Sequence, residues 1–134
     1  EGGGLLIGAQ AWYWSYSHKE NNLQGFPGNK ITSPSGVYFT EHYGEKGTFS
    51  MSKIMPWSPI IEEFTFDKDY RSLICGVDFL DFSGDAVPSD LLLHGALSFP
   101  VGISDKNQCL LGAAYYGKGR VVVVTHEGYL FKPE

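Results

Sequence analysis

The stretch that decides the fold is Arg120-Val121-Val122-Val123-Val124-Thr125, close to the end of the chain. Its four valines favour a β-strand, because a side chain branched at Cβ packs well on a pleated sheet. An apolar run without polar alternation is typical of a strand that is buried on both faces. The run therefore predicts an α/β protein whose last strand lies between two covering layers.

Three more strands are predicted directly upstream of this run. They cover Asp90–His94, Leu97–Ile103 and Gln108–Tyr115, and turns are predicted at Ser104–Asn107 and Tyr116–Gly119. Short polar or glycine-rich stretches between apolar segments mark such turns. The last third of the chain is thus expected to consist of successive strands.

Near its start the chain is expected to form a strand, a sharp turn and a helix. Leu5-Leu6-Ile7 is predicted to be a short buried strand, Gly8-Ala9-Gln10 the turn, and Ala11–Lys19 one or two helical turns whose rings pack on the sheet. Such a turn has the shape of a nucleophile elbow. Residues 9–11 carry no thiol or hydroxyl, so the elbow is predicted to lack the nucleophile that covalent catalysis needs.

The middle of the chain is interpreted as an insertion that lies over the sheet. The segment Asn21–Pro59 contains turn-forming clusters, among them Pro27-Gly28-Asn29, around predicted strands at Gly36–Thr40 and Thr48–Ile54. A helix over Lys68–Val77, capped by the preceding aspartate, is predicted to pack on the sheet. Together these elements predict a flavodoxin-like α/β fold with a mixed sheet, complete or partial.

Composition limits the classes of protein to which the chain can belong. Its length of 134 residues fits one domain, residues 1–134, and both ends are interpreted as cuts within a longer protein. The net charge of -5 argues against a nucleic-acid partner, because binding to phosphates needs an excess of Lys and Arg. The longest apolar runs have only the length of a strand, so neither a membrane span nor a signal peptide is expected.

The two cysteines, Cys75 and Cys109, are predicted to be free thiols in a reducing compartment. Each lies in an apolar stretch, which is typical of a buried reduced thiol. A disulfide between them would contradict both the free thiols and the intracellular placement.

The pair His126-Glu127, directly after the last strand, is the candidate for acid–base chemistry. The carboxyl ends of strands are where α/β sheets gather their sites, so a base and an orienting carboxylate could work there. Because the elbow lacks a nucleophile, a structural or solvated role is preferred to catalysis. The scattered histidines lack zinc-ligand spacing and no phosphate-binding glycine loop is present, so neither a metal nor a cofactor is expected.

Aromatic residues are the candidates for partner binding. Trp12 and Trp14 belong to an aromatic cluster beside the elbow, of which about a third is expected to be exposed while the rest packs in the core. Trp57 is predicted to be an exposed anchor, since Pro56 and Pro59 hold its segment extended outside any strand. Replacing Trp57 with alanine is expected to weaken capture of the partner and to leave the melting temperature nearly unchanged.

Five blocks of the sequence resemble the TRP channel-associated factor family. They occur in the same order as in that family and are spread over most of the chain. The blocks are residues 2–12 (GGGLLIGAQAW), 26–29 (FPGN), 36–40 (GVYFT), 91–100 (LLLHGALSFP) and 116–127 (YGKGRVVVVTHE). Strings of this length are far more specific than a catalytic motif of three or four residues.

The resemblance implies a protein of several domains. Its N-terminal part looks like class I glutamine amidotransferases, its C-terminal part is similar to a gluzincin zinc peptidase, and this chain would hold only the first. In that pattern the catalytic cysteine would fall at or beside Ala9-Gln10, and His126-Glu127 echoes the His-x-Glu pair. The resemblance also implies binding to the cold-sensing melastatin-type TRP channel, with effects on its surface delivery and gating.

The predicted function is therefore that of a non-catalytic module that binds the cytoplasmic region of a TRP-type cation channel. It would lie in the cytoplasm at the inner face of the plasma membrane, peripheral to the bilayer at most. Two alternatives stay open. One is a residual hydrolase or amidotransferase-like enzyme that uses His126 and Glu127, and the other is a small-ligand sensor at the Gly8–Gln10 turn.

Overall fold

The valine run forms a central strand, β8 (Gly119–Val124), in the computed structural model of the chain. The structure describes residues 2–20, 22–50, 79–84 and 87–130. β8 lies between β1 (Gly4–Gly8), its parallel neighbour, and β7 (Cys109–Tyr116), its antiparallel neighbour. The prediction that all four valines are buried is confirmed.

The remaining described strands pair in antiparallel fashion. The main sheet has the order β1-β8-β7-β5-β2, where β5 is Ser89–Leu93 and β2 is Val37–Tyr43, and β6 (Ser98–Ile103) pairs with β7. A separate two-stranded sheet consists of β3 (Thr48–Ser50) and β4 (Phe79–Asp81). The described helices are α1 (Ala11–Ser17) and α2 (Pro27–Thr32), with short 3₁₀ turns at Leu23–Gly25, Ser33–Ser35 and Glu127–Leu130. The described architecture is thus mixed α/β, mostly sheet with few helices.

The main sheet carries an apolar cluster on each face. Successive side chains of a strand point to opposite faces, so the four valines of β8 divide between the two clusters. Val121 and Val123 pack in a cluster that includes residues of α1 and β2, whereas Val122 and Val124 pack with the ring of Phe49 in β3. The sheet therefore lies between a layer with the helices and a layer with the β3–β4 pair.

Most element positions predicted from the sequence are confirmed. The four strands of the last third occur with each end within one residue of its predicted position, and the turns between them lie where they were predicted. α1 begins at the predicted Ala11 and ends at Ser17, two residues before the predicted end. The predicted helix at Lys68–Val77 and the end of the strand predicted at Thr48–Ile54 lie outside the described residues.

The strand predicted at Leu5-Leu6-Ile7 is confirmed, but the prediction that it is buried is wrong for its first two residues. Leu5 is 38% and Leu6 is 50% exposed. β1 lies at the end of the described sheet and pairs only with β8 there, so the covering layers do not reach these side chains. A short apolar segment predicts a strand, but burial depends on the position of the strand in the sheet.

The interpretation of Asn21–Pro59 as an insertion over the sheet is wrong for β2, which is a strand of the sheet itself. Val37 and Phe39 are fully buried on the face that α1 covers, and Phe39 is paired with Leu91 of β5. Alternate burial of this kind is produced by a strand with one face on the core. The turn-rich composition of the segment concealed this role.

The cluster Pro27-Gly28-Asn29, interpreted as a turn, begins α2 instead. Proline suits the first helical position, because its fixed φ is helical and its missing N–H would have no partner there. Asn29 is almost fully buried: its side chain accepts a hydrogen bond from the Phe39 N–H (2.6 Å) and donates one to the Phe39 carbonyl (3.0 Å). This side chain therefore satisfies backbone groups of β2 that β5 does not reach.

Two glycines with positive φ differ in the space around them. Replacing each with alanine therefore distinguishes the cost of backbone strain from the cost of steric overlap. Gly36 has φ 91° and Gly95 has φ 85°, but a Cβ at Gly36 would overlap the carbonyl oxygen of His94, whereas nothing lies within 4 Å of a Cβ at Gly95. Gly95→Ala is expected to cost about 1–2 kcal/mol, the conformational penalty alone. Gly36→Ala should cost clearly more, because the backbone must also move. Urea unfolding of both variants measures the difference, and equal losses would contradict the overlap.

Candidate functional site

The predicted strand, turn and helix follow one another at the carboxyl end of β1, and the turn Gly8–Gln10 has the place of the predicted elbow. Gly8 pairs with Val124 of β8, the Ala9 N–H donates to the Val124 carbonyl (3.2 Å), and α1 begins at Ala11. Because β1 and β8 are parallel, the residues that follow them leave the sheet at the same edge. The parallel pairing of β1 with β8 thus brings the elbow and the pair that follows β8 to one end of the sheet, a point that the sequence had left open.

Gln10 and Trp12 both bind the same backbone carbonyl. Gln10 Nε2 and Trp12 Nε1 donate to the Val87 carbonyl at 2.9 and 2.8 Å, and the Trp12 N–H donates to Ser89 Oγ at 3.3 Å. These bonds tie the start of α1 to the segment that enters β5. A ligand that needed the Gln10 amide as a donor would therefore compete with a hydrogen bond that holds the elbow.

The pair His126-Glu127 lies just beyond β8. Nδ1 of His126 accepts a hydrogen bond from the Gly128 N–H (2.9 Å), so a neutral ring carries its proton on Nε2, and the ring lies 6.5 Å from that of Phe82. Oε2 of Glu127 is buried without a hydrogen-bond partner in the described part of the chain. With alanine and glutamine at the elbow, the pair has no hydroxyl or thiol there to activate.

The aromatic cluster near the elbow divides into core and surface residues. Trp14 stacks on His18 (4.6 Å between ring centroids), contacts Phe26 (5.5 Å) and packs against the buried cluster on the helical face of the sheet. Tyr13 and Tyr16, by contrast, are 60% and 68% exposed. Trp14, a candidate for partner binding, is therefore mainly a packing residue.

A surface of exposed rings surrounds Trp12. This aromatic patch consists of Trp12, of Tyr13 and Tyr43, whose rings contact it, and of Tyr16, which lies one turn further along α1. The Trp12 ring is half-buried and lies 5.7 Å from that of Tyr13 and 5.0 Å from that of Tyr43, which is 62% exposed. Tyr43 was not among the predicted binding residues, because only the packing of α1 on β2 brings it to the elbow. Trp57, the predicted anchor, lies outside the described residues and stays a prediction.

Besides the pair His126-Glu127, a second cluster of polar side chains lies where β2, β5 and β7 meet. The sequence analysis did not predict it. Asp90 accepts a hydrogen bond from Thr40 Oγ1 and lies 3.6 Å from Nδ1 of the exposed His42. Burial raises the pKa of Asp90, and the nearby His42 opposes this shift. Cys109 is a free thiol, and its pKa is raised to about 12, mainly by burial and further by Asp90. A thiol this hard to ionise is a poor nucleophile, so the group does not supply what the elbow lacks.

Neither a metal group nor a membrane helix is found in the described residues. Within residues 2–20, 22–50, 79–84 and 87–130, no three His, Cys, Asp or Glu side chains come together as ligands for one ion. In the same residues, no helix combines the length and the apolar character that are needed to cross a bilayer.

The fold and the site define an α/β domain with an elbow-like turn that carries no nucleophile. The family model described as "TRPM8, N-terminal domain" matches residues 17–134. The chain belongs to the family of TRPM8 channel-associated factors, which confirms the resemblance drawn from the five sequence blocks.

Relatives match along nearly the whole chain. The chain is 64% identical over 135 residues to a TRPM8 channel-associated factor homolog of Xenopus laevis, covering 100% of the chain and 15% of that protein. It is 48% identical to human TRPM8 channel-associated factor 2 (99% of the chain, 15% of the relative) and 46% identical to human factor 1 (94% and 14%). The chain thus spans about 15% of the length of these relatives. No solved structure matches it.

Proposed function

We propose that this chain is a non-catalytic module that binds a TRPM8-type cation channel and influences its trafficking or gating. The observation that carries the proposal is the 64% identity, over the full chain, to a protein named for its association with TRPM8. The match covers the whole chain, the elbow and the main sheet included, and this supports a shared role of this region. The module would act in the cytoplasm, at the inner face of the plasma membrane.

The geometry of the elbow supports a binding role rather than catalysis. A strand, a sharp turn and a helix follow one another as in amidotransferases, and we propose that the chain is an amidotransferase-like domain or part of one. Ala9 and Gln10 stand where a nucleophile would act, and the Gln10 amide is hydrogen-bonded to the backbone. The free thiol at Cys109 stays protonated near neutral pH because of its burial.

Binding is tested with the purified 134-residue chain and detergent-solubilised TRPM8. We expect the immobilised chain to capture the channel, whereas an unrelated acidic domain of similar size should not. A cooperative melting transition of the immobilised protein establishes that it is folded. If the folded chain captures no more channel than the control domain, it does not carry the binding role.

The enzyme alternative rests on His126 and Glu127 and is tested by ammonia release from glutamine. We expect no turnover above that of a His126→Ala variant, because general acid–base catalysis alone does not replace the missing nucleophile. Turnover clearly above this control would contradict the non-catalytic proposal.

A further inference from the structure

The aromatic patch offers open ring faces beside a carboxylate. Glu41, which is exposed on β2, accepts a hydrogen bond from Ser15 Oγ of α1 at 3.0 Å. The same two elements carry Tyr13 and Tyr43, whose rings both contact Trp12. A negatively charged group and three aromatic rings therefore share one surface, formed where α1 crosses β2.

A lysine of the chain itself already contacts one ring of this patch. Nζ of Lys19 lies 5.2 Å from the centroid of the Tyr16 ring, within the range of a cation–π contact. The Tyr16 ring thus already contacts a cation of the chain itself. Tyr13 and Tyr43, in contrast, expose more than half of their surface. The patch is built from residues whose ring faces attract cations.

Charge decides which kind of partner fits this surface. Aromatic ring faces attract Lys and Arg side chains, and Arg also forms hydrogen bonds with a carboxylate through its planar guanidinium. The net charge of -5 on the chain would draw a positively charged segment and repel an acidic one. Trp, Tyr and Arg are also the residues that contribute most at the centres of interfaces.

We propose that the aromatic patch, with Glu41 beside it, is the docking surface for a basic segment of the channel. Arg or Lys side chains of that segment lie over the rings of Tyr13 and Tyr43 and pair with the Glu41 carboxylate. The inference rests on the proposed function, since it names the surface and the chemistry of channel binding. It requires no change in the fold, because α1 and β2 already hold the rings in place.

The experiment measures binding of single variants of the chain to solubilised TRPM8. Tyr13→Ala and Tyr43→Ala are each expected to weaken binding about tenfold. The matched control is Tyr116→Ala, since Tyr116 is 58% exposed but lies at the β7–β8 turn, at the opposite end of the sheet from the elbow. This control is expected to bind within about twofold of the original chain, as surface residues outside an interface do.

The carboxylate is tested separately from the rings. Glu41→Gln is expected to weaken binding about threefold and to reduce its salt dependence, and Glu41→Lys to weaken it more than about tenfold through repulsion of the basic segment. Both substitutions are at an exposed position, so the melting temperature should stay within about 2 °C. They keep the proposal testable even if a tyrosine variant fails to fold.

The outcomes separate this inference from the function on which it rests. If the original chain binds TRPM8 but Tyr13→Ala and Tyr43→Ala bind as well as Tyr116→Ala, the docking surface is elsewhere and the channel-binding role stands. If the tyrosine variants weaken binding but both Glu41 variants bind normally, the partner segment is not basic. If the original chain does not bind, the proposed function itself fails.

Discussion

Replacing Phe39 with alanine is expected to lower the free energy of unfolding by about 3–5 kcal/mol. The side chain is fully buried on the helical face of the sheet, and its ring meets that of Phe26 edge-on, with 5.4 Å between centroids. The two rings pack where the segment before α2 meets β2, so truncation would leave a cavity between them. Truncation should therefore lower the free energy of unfolding in two ways: the hydrophobic stabilisation from the buried ring is lost, and the cavity that remains adds a further cost.

Urea denaturation of the Phe39→Ala variant measures this loss. The matched control is Leu92→Ala, a truncation on the paired strand β5 at a side chain that is 56% exposed, for which about 1 kcal/mol or less is expected. Losses of equal size in the two variants would show that the cluster around Phe39 is not the core of this face.

Cys109 is expected to react with iodoacetamide at pH 8 about 1,000-fold more slowly in the folded chain than in the urea-unfolded chain. Only the thiolate reacts, and burial raises the pKa of this thiol from an ordinary value of 9.0 to about 12. The thiolate fraction at pH 8 therefore falls by about three powers of ten. Because the folded state keeps the proton more tightly, the free energy of unfolding should also fall as the pH rises above about 9.

A Cys75→Ser background leaves Cys109 as the single thiol for this measurement. The rate in urea gives the reference for the unfolded chain, and mass spectrometry of the product shows where the label is attached. A folded rate within about tenfold of the unfolded one would mean that the thiol is accessible and ionised. The prediction that Cys75 is also free is tested by the same labelling of the original chain in urea without a reductant.

The strands could be predicted because their signals are local. In the last third, apolar segments alternate with short turns, and this pattern depends on residues that are neighbours in the sequence. The valines of β8 even predicted burial on both faces, because an uninterrupted apolar run leaves no polar face for water. α2 was missed for the opposite reason: a proline followed by a glycine indicates a turn, although proline also suits the first turn of a helix.

The candidate site was predictable only in part. Local patterns predicted the turn after Leu5-Leu6-Ile7 and placed His126-Glu127 directly after a strand, but only the parallel pairing of β1 with β8 brings them to one sheet edge. Tyr43 and Glu41 could not be assigned to the same surface, because β2 had been interpreted as part of a covering insertion. Their positions depend on the contact of α1 with β2, between residues more than 20 positions apart.

What the sequence determined by itself was the family, the positions of most strands and the lack of a nucleophile at the elbow. These three features depend on which residues are present and on their order along the chain, and both are given completely by the amino-acid sequence. Only the tertiary structure decided that β2 belongs to the sheet, that Leu5 and Leu6 are exposed, and that Asp90 lies close enough to Cys109 to affect its pKa. The physical reason is that strand pairing and burial depend on contacts between distant segments, which are specified by the packing of the whole chain rather than by any one stretch of it.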